Sequence, residues 1–228
     1  MEFFSTFHLD EKHDMLTHIE YEVDISKWNV EGEHPMSQGV LSVRNLIVAA
    51  MFAALVAIGG RIAIPLPPVP ITLQTLFVMM AGSILGARWG AVSMSIFVLL
   101  AAFGAPVLAQ GQGGLAALFG PTGGYILSWP VAAFLIGWFT EKRAPRLSVA
   151  YLTAVHVIFG VLLVYAAGVT WLSFVTGMGW NAAFAAGALP FIPGDLVKTA
   201  VAAIVALRVY RVYPMIRKAT PVKSQKNQ

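Results

Sequence analysis

The chain has 228 residues, of which 57% are hydrophobic and 11% charged, and a formal net charge of +4. Soluble domains carry about 25% charged residues, so this composition describes a membrane protein. The absence of cysteine excludes disulfide scaffolds, thiol nucleophiles and thiolate metal sites.

Residues 1–40 hold nine of the eleven acids against Lys12 and Lys27 alone. From residue 41 onward there are thirteen Lys/Arg and two acids, Glu141 and Asp195. The net charge thus hides an acidic stretch of −7 and a basic body of +11. A basic body with long apolar runs suits loops facing anionic lipid, not nucleic acid. We expect residues 1–40 to be an acidic soluble extension, disordered, without the continuous apolar core of a signal peptide. His8, His13 and His18 recur every five residues, which is no metal-ligand spacing on one helix face. Residues 41–216 are expected to form the membrane domain, and residues 217–228 a basic cytoplasmic tail.

The first apolar segment runs over about Asn45–Ile64. Ala49, Ala53 and Ala57 recur every four residues, with Ala50 and Ala54 alongside. Small residues at this spacing let a second helix approach closely in lipid; a contact within the chain and one with a partner subunit fit equally well. Four prolines in Pro65–Pro70 then end the helix. A second segment, Ile71–Ala87, begins ITLQT and places Thr72, Gln74 and Thr75 near its start. The Gln74 amide needs partners in an apolar setting. Arg88 marks a turn, and Trp89–Phe103 is the third segment.

Gly104–Gly124 is uncharged and rich in glycine. It is too apolar for a solvated linker and too glycine-rich for a plain helix. Such backbone is tolerated at membrane depth where it lines a cavity, so it is expected to fold back over a pocket. It lacks a GKS or GKT triplet, which argues against ATP binding. Gln110 and Gln112 either contact a ligand or face water. Tyr125–Phe139 is the fourth segment, followed by the charged loop of Glu141, Lys142, Arg143 and Arg146. The fifth, Ser148–Thr176, exceeds the ~20 residues a crossing needs and contains His156, read as a packed, hydrogen-bonded side chain. Gly177–Gly187 is expected to be a connection, with Trp180 as an interface anchor.

The sixth segment, Leu189–Leu207, contains Asp195 and Lys198 in the run PFIPGDLVK. A charge at the centre of a membrane helix costs about 2.5–3.5 kcal/mol on insertion scales and marks a site by default. The bland alternative is a pair at i, i+3 that neutralises itself. The Lys/Arg distribution bears on the choice. Arg44, Arg88, Lys142–Arg146 and the C-terminal end are basic, while the three alternate connections carry no Lys or Arg. With six crossings, both termini are cytoplasmic, and Gln74, Asp195 and the glycine- and proline-rich connections share the external side. A pocket of Asp195, Lys198, Gln74 and Thr72, walled by Tyr125 and Phe119, would take a small ligand with N–H and carbonyl groups, an apolar body and, optionally, a negative charge. The fold class is an all-α membrane protein, a six-helix bundle with an external pocket capped by Gly/Pro-rich loops.

Three runs, IPLPPVPITLQT (Ile64–Thr75), GQGGLAALFGPTGGY (Gly111–Tyr125) and FIPGDLVK (Phe191–Lys198), resemble those of the BioY family, the biotin-binding S components of energy-coupling factor (ECF) transporters. The resemblance covers about Leu41–Arg211. It implies six transmembrane helices in the cytoplasmic membrane of a prokaryote, biotin as transported ligand, and no cofactor. It implies partners: a transmembrane coupling subunit and two cytoplasmic ATPases, without which some members are proposed to work. By the same resemblance Asp195 and Lys198 are binding residues, joined by Gln74 and Tyr125, and the Ala49–Ala53–Ala57 face docks the coupling subunit. The extension 1–40 departs from the family pattern. Alternatives are an S component for another vitamin, a solitary biotin transporter, an intramembrane enzyme or a structural scaffold. The enzyme reading finds no paired acids, no His-rich cluster and no serine dyad.

Overall fold

The computed structural model describes residues 43–212. The expectations for residues 1–40, including those for His8, His13 and His18, and for 217–228 lie outside the described residues.

Helix α1, Val43–Arg61, turns Ala49, Phe52, Ala53 and Val56 inward. Ser93 Oγ donates to the Ala49 carbonyl at 2.6 Å, and Ala49 and Ala53 are 0% and 2% exposed. Two residues of the face expected to dock a partner, Ala49 and Ala53, thus turn toward the chain's own core. The two inner alanines serve a contact within the chain, Ala57 is half-buried against the core, and the exposed small residues are Ala50 and Ala54. After α1, strand β1 (Ala63–Ile64) pairs antiparallel with β2 (Ile71–Thr72). This short ladder closes the proline run into a loop, since proline has no N–H to donate to a strand partner.

Helix α2, Gln74–Ala102, merges the second and third apolar segments, and it is not straight. Gly86 takes φ 83°, ψ −179°, a conformation open to glycine and strained for other residues. A β-carbon on Gly90 would lie 3.0 Å from the Gly82 Cα, although eight residues of straight helix separate Cα atoms by about 12 Å. The chain therefore folds back at Gly86. The break falls two residues before the expected turn at Arg88, which is itself helical and exposed. The Glu141 carboxylate accepts from Ala87 N–H at 2.8 Å, satisfying one of the free donors that open the second arm.

A 3-10 turn (Ala109–Gly111) and a short helix, α3 (Leu115–Leu118), break up the glycine-rich connection. Helix α4, Gly123–Arg143, ends on Lys142 and Arg143, cations that complement the negative end of the helix dipole. It packs on α2 through glycine. A β-carbon on Gly82 would meet the Ala133 carbonyl at 2.7 Å, and one on Gly137 would run into the Gly86–Ala87 backbone. Such close approach provides dispersion contact where lipid offers little hydrophobic drive between helices.

The fifth segment is one long helical run of three parts. Ser148 caps helix α5 (Val149–Val155) by accepting from Tyr151 N–H, a π-helical stretch (His156–Leu162) comes next, and α6 (Leu163–Thr176) ends on left-handed Gly177. His156 is buried between Ser83 Oγ (2.6 Å) and the Thr199 carbonyl (3.2 Å), a packed residue as expected. The expected connection Gly177–Gly187 instead forms a further helix, α7 (Trp180–Gly187). It leads into α8, Ile192–Val212, at a bend of 54°. Trp180 is exposed and stacks on Phe184.

By length and hydropathy, four of the described helical runs can cross a membrane, or five if the bent α7–α8 pair is one span. Large apolar side chains such as Ile47, Met51, Leu99, Val131, Leu162 and Val201 lie exposed around the bundle. This is the surface of a multi-pass helical membrane protein.

Candidate ligand-binding site

A cavity of about 520 Å³ lies where the proline loop, the glycine-rich connection and the starts of α2, α4 and α8 meet. Residues 65–70 form one wall and residues 116–117 and 120–122 another. Ile126, Trp129, Val164 and Phe191 supply apolar surface. Every polar residue expected at the site, namely Thr72, Gln74, Gln110, Gln112, Tyr125, Asp195 and Lys198, lines this cavity. Phe119 does not; it is 59% exposed and packs on the Trp171 ring.

Asp195 stands in the first turn of α8. Pro193, just inside the helix start, lacks an N–H where none is needed. The carboxylate sits at the positive end of the helix dipole. Its Oδ1 accepts from Lys198 Nζ at 2.7 Å and from Thr75 Oγ1 at 3.4 Å. Its Oδ2 accepts from Tyr165 O–H at 2.5 Å, the length of a charge-assisted bond. Lys198 Nζ also donates to Thr75 Oγ1 at 3.4 Å. Asp195 and Lys198 are 4% and 9% exposed. Burying an ion pair costs more than it returns unless the surrounding lone pairs and protons find partners; Tyr165 and Thr75 provide them.

Gln74 is buried at the mouth of α1 and α2. Its Nε2 donates to the Val107 carbonyl at 3.5 Å and its Oε1 accepts from Thr72 Oγ1 at 3.4 Å. Thr72 Oγ1 in turn accepts from Gln74 N–H, which satisfies a free donor at the start of α2. A β-carbon on Gly60 would come within 2.8 Å of Gln74 Nε2, so glycine there leaves room for the amide. The amide thereby ties the glycine-rich connection to α2. Gln110 and Gln112 line the cavity from exposed positions, and Gln110 is the non-glycine residue of positive φ (58°) among the described residues. Tyr125 presents its ring to the cavity. Its hydroxyl donates to the Gly187 carbonyl at 2.8 Å, and its ring lies where a β-carbon on Gly168 would be.

Two lining residues, Tyr165 and Trp129, escape a reading of the sequence. The available signal is weak: tyrosine and tryptophan inside apolar runs need a hydrogen-bond partner when buried. Nothing local says which partner. The site as built offers a buried cation and anion side by side, amide and hydroxyl groups at the rim, and an aromatic and aliphatic floor. It suits a small ligand with both donors and acceptors.

The model of the BioY family matches residues 33–215. The biotin transporter BioY of Rhizobium etli is 40% identical over 185 residues, which are 77% of this chain and 98% of the relative. That of Thermotoga maritima is 42% identical over 166 residues, 73% of this chain and 95% of the relative. A 2.1 Å crystal structure of the S-component for biotin from an ECF-type ABC transporter superposes with a TM-score of 0.70 at 36% identity. It covers 74% of this chain and 92% of that one.

Proposed function

The chain belongs to the BioY family, and from that premise we propose that it is the substrate-capture subunit for biotin uptake across the cytoplasmic membrane of a prokaryote. The single observation that carries this reading is the buried Asp195–Lys198 pair on the wall of a 520 Å³ cavity. An ion pair kept from water among apolar walls has a use if a ligand exchanges hydrogen bonds with it. The ureido group of biotin brings two N–H donors and a carbonyl, its fused rings an apolar body, and its tail a carboxylate. The chain binds and does no chemistry.

Asp195 and Lys198 are assigned the polar head of the ligand, Gln74 and Thr72 the rim, Tyr125 the apolar floor, and Gln110 and Gln112 the entrance. The proline loop and the glycine-rich connection form the cap. Six crossings are proposed by taking the two arms of α2 as separate spans and α7–α8 as one. Arg88, the Lys142–Arg146 loop and both termini then share the cytoplasmic side, as the distribution of Lys and Arg favours. Energy is assigned to an ECF coupling subunit with two ATPase subunits. The exposed face Ile47–Ala50–Met51–Ala54–Ile58 of α1 is assigned to the coupling subunit.

The deciding experiment is a thermal-shift screen of purified protein against biotin and other vitamins, followed by calorimetry. Binding to the folded form raises stability by mass action. Biotin alone is expected to raise the melting temperature; a shift with another vitamin and none with biotin defeats the assignment.

A further inference from the structure

Trp129 lies one helical turn after Tyr125 on α4 and lines the cavity. It is 4% exposed, and its ring packs at a tilt on Phe97, centroids 5.5 Å apart. Among the described residues its indole N–H is the one buried side-chain polar atom without a hydrogen-bond partner. Its neighbours are satisfied: the Tyr125 hydroxyl donates to Gly187 and the Ser128 hydroxyl to the Tyr125 carbonyl. Burying a polar group without a partner is costly, and a phenylalanine would place an aromatic ring there without that cost. The residue lines the cavity while its donor is closed off and unpartnered, so an acceptor that a ligand presses against this wall is the partner it lacks.

We propose that Trp129 Nε1–H donates a hydrogen bond to an oxygen of the bound ligand, making Trp129 a specificity-determining residue of the cavity. The inference rests on the biotin reading, since biotin supplies two such acceptors, the ureido carbonyl and the carboxylate. The indole has no acceptor of its own, so it discriminates for ligand oxygens and against ligand donors at that point. Its contribution is separate from that of the Asp195–Lys198 pair, whose atoms bond to Tyr165, Thr75 and each other.

The test uses full-length protein in detergent with biotin as probe. Trp129→Phe is expected to weaken biotin binding about 5- to 100-fold, as loss of a partner to a buried acceptor does. Trp138→Phe, on the same helix and outside the cavity lining, leaves affinity unchanged. In protein labelled with 15N-tryptophan, biotin moves the indole proton resonance that Trp129→Phe removes to lower field, the signature of a new hydrogen bond. Unchanged affinity in Trp129→Phe overturns the inference while leaving the biotin reading intact. So does weakened affinity with an unmoved resonance, which marks a packing effect. If the variant fails to fold, the wild-type resonances decide, and no low-field shift with biotin overturns the inference. Wild-type protein that does not bind biotin overturns the functional reading and this inference together.

Discussion

Tyr165 donates its phenolic O–H to Oδ2 of Asp195 at 2.5 Å, from a helix 30 residues earlier in the chain. Lys198 occupies the other carboxylate oxygen at 2.7 Å, so the anion is clamped from two elements. Tyr165 lies three residues beyond the π-helical stretch His156–Leu162. An extra residue in the helical turn rotates the side chains of the next turns about the axis, and such bulges occur at functional sites. Tyr165→Phe keeps the ring and removes the clamp. It is expected to weaken biotin binding roughly 10- to 100-fold, the value of about 1.5–3 kcal/mol for a bond to a charged group. Calorimetry on the two proteins checks this, and equal affinities would show that Lys198 alone suffices to hold the carboxylate.

The pair itself separates a structural from a binding role. Lys198→Met leaves Asp195 buried with its hydroxyl partners but no countercharge, and is expected to cost about 3–5 kcal/mol of stability. Asp195→Asn strands the Lys198 ammonium in the same way. The double variant Asp195→Asn/Lys198→Met removes both charges together. Replacing a buried pair with neutral groups of similar volume is often nearly neutral for folding. Thermal unfolding should therefore recover in the double variant while biotin binding stays lost. Recovery of both would reduce the pair to a packing device.

How much of the site is legible from residues alone depends on whether the signal is local. The Asp195–Lys198 pair announces itself, because two charges in an apolar helix have few reasons to be there. Gln74 and the glycine-rich connection stand out by the same logic, and all line one cavity. Tyr165 and Trp129 do not, because each sits in an apolar run where an aromatic residue is ordinary; only the fold brings them to the site. The charge at Arg88 points to a chain reversal there, yet the reversal occurs at Gly86, where the backbone can take positive φ. The glycines and alanines of α7 look like a flexible connection in isolation, whereas Gly187 lets the Tyr125 hydroxyl reach a carbonyl. The periodicity of α1 correctly indicates a small-residue face. Which of its two alanine rows faces inward is a matter of rotation about the helix axis that spacing does not encode.

That rotation makes two neighbouring substitutions behave oppositely. Ala53 is 2% exposed against the core, and leucine there overfills a packed interface, which typically costs about 1–3 kcal/mol. Ala54 is exposed, so leucine there leaves the fold and the cavity alone. Ala53→Leu is expected to lower the melting temperature and weaken biotin binding with it. Ala54→Leu should keep both and impair co-purification with the coupling subunit. If Ala54→Leu co-purifies as well as wild type, that row of α1 faces lipid instead.

The fold-back at Gly86 carries the last expectation, on topology. If the arms of α2 are separate crossings, Arg88 lies on the cytoplasmic side and Gln110 on the external side. A single straight span through residues 74–102 would bring Arg88 into the bilayer, where an isolated charge costs several kcal/mol. The sequence contains no cysteine, so single cysteines can be introduced without a background. In intact cells, a membrane-impermeant maleimide should label Gln110→Cys and spare Arg88→Cys. In inverted vesicles the pattern should reverse. Labelling of Arg88→Cys from outside would turn the second arm of α2 over and remove the six-crossing arrangement, because Arg88 and the Lys142–Arg146 loop would then lie on opposite sides.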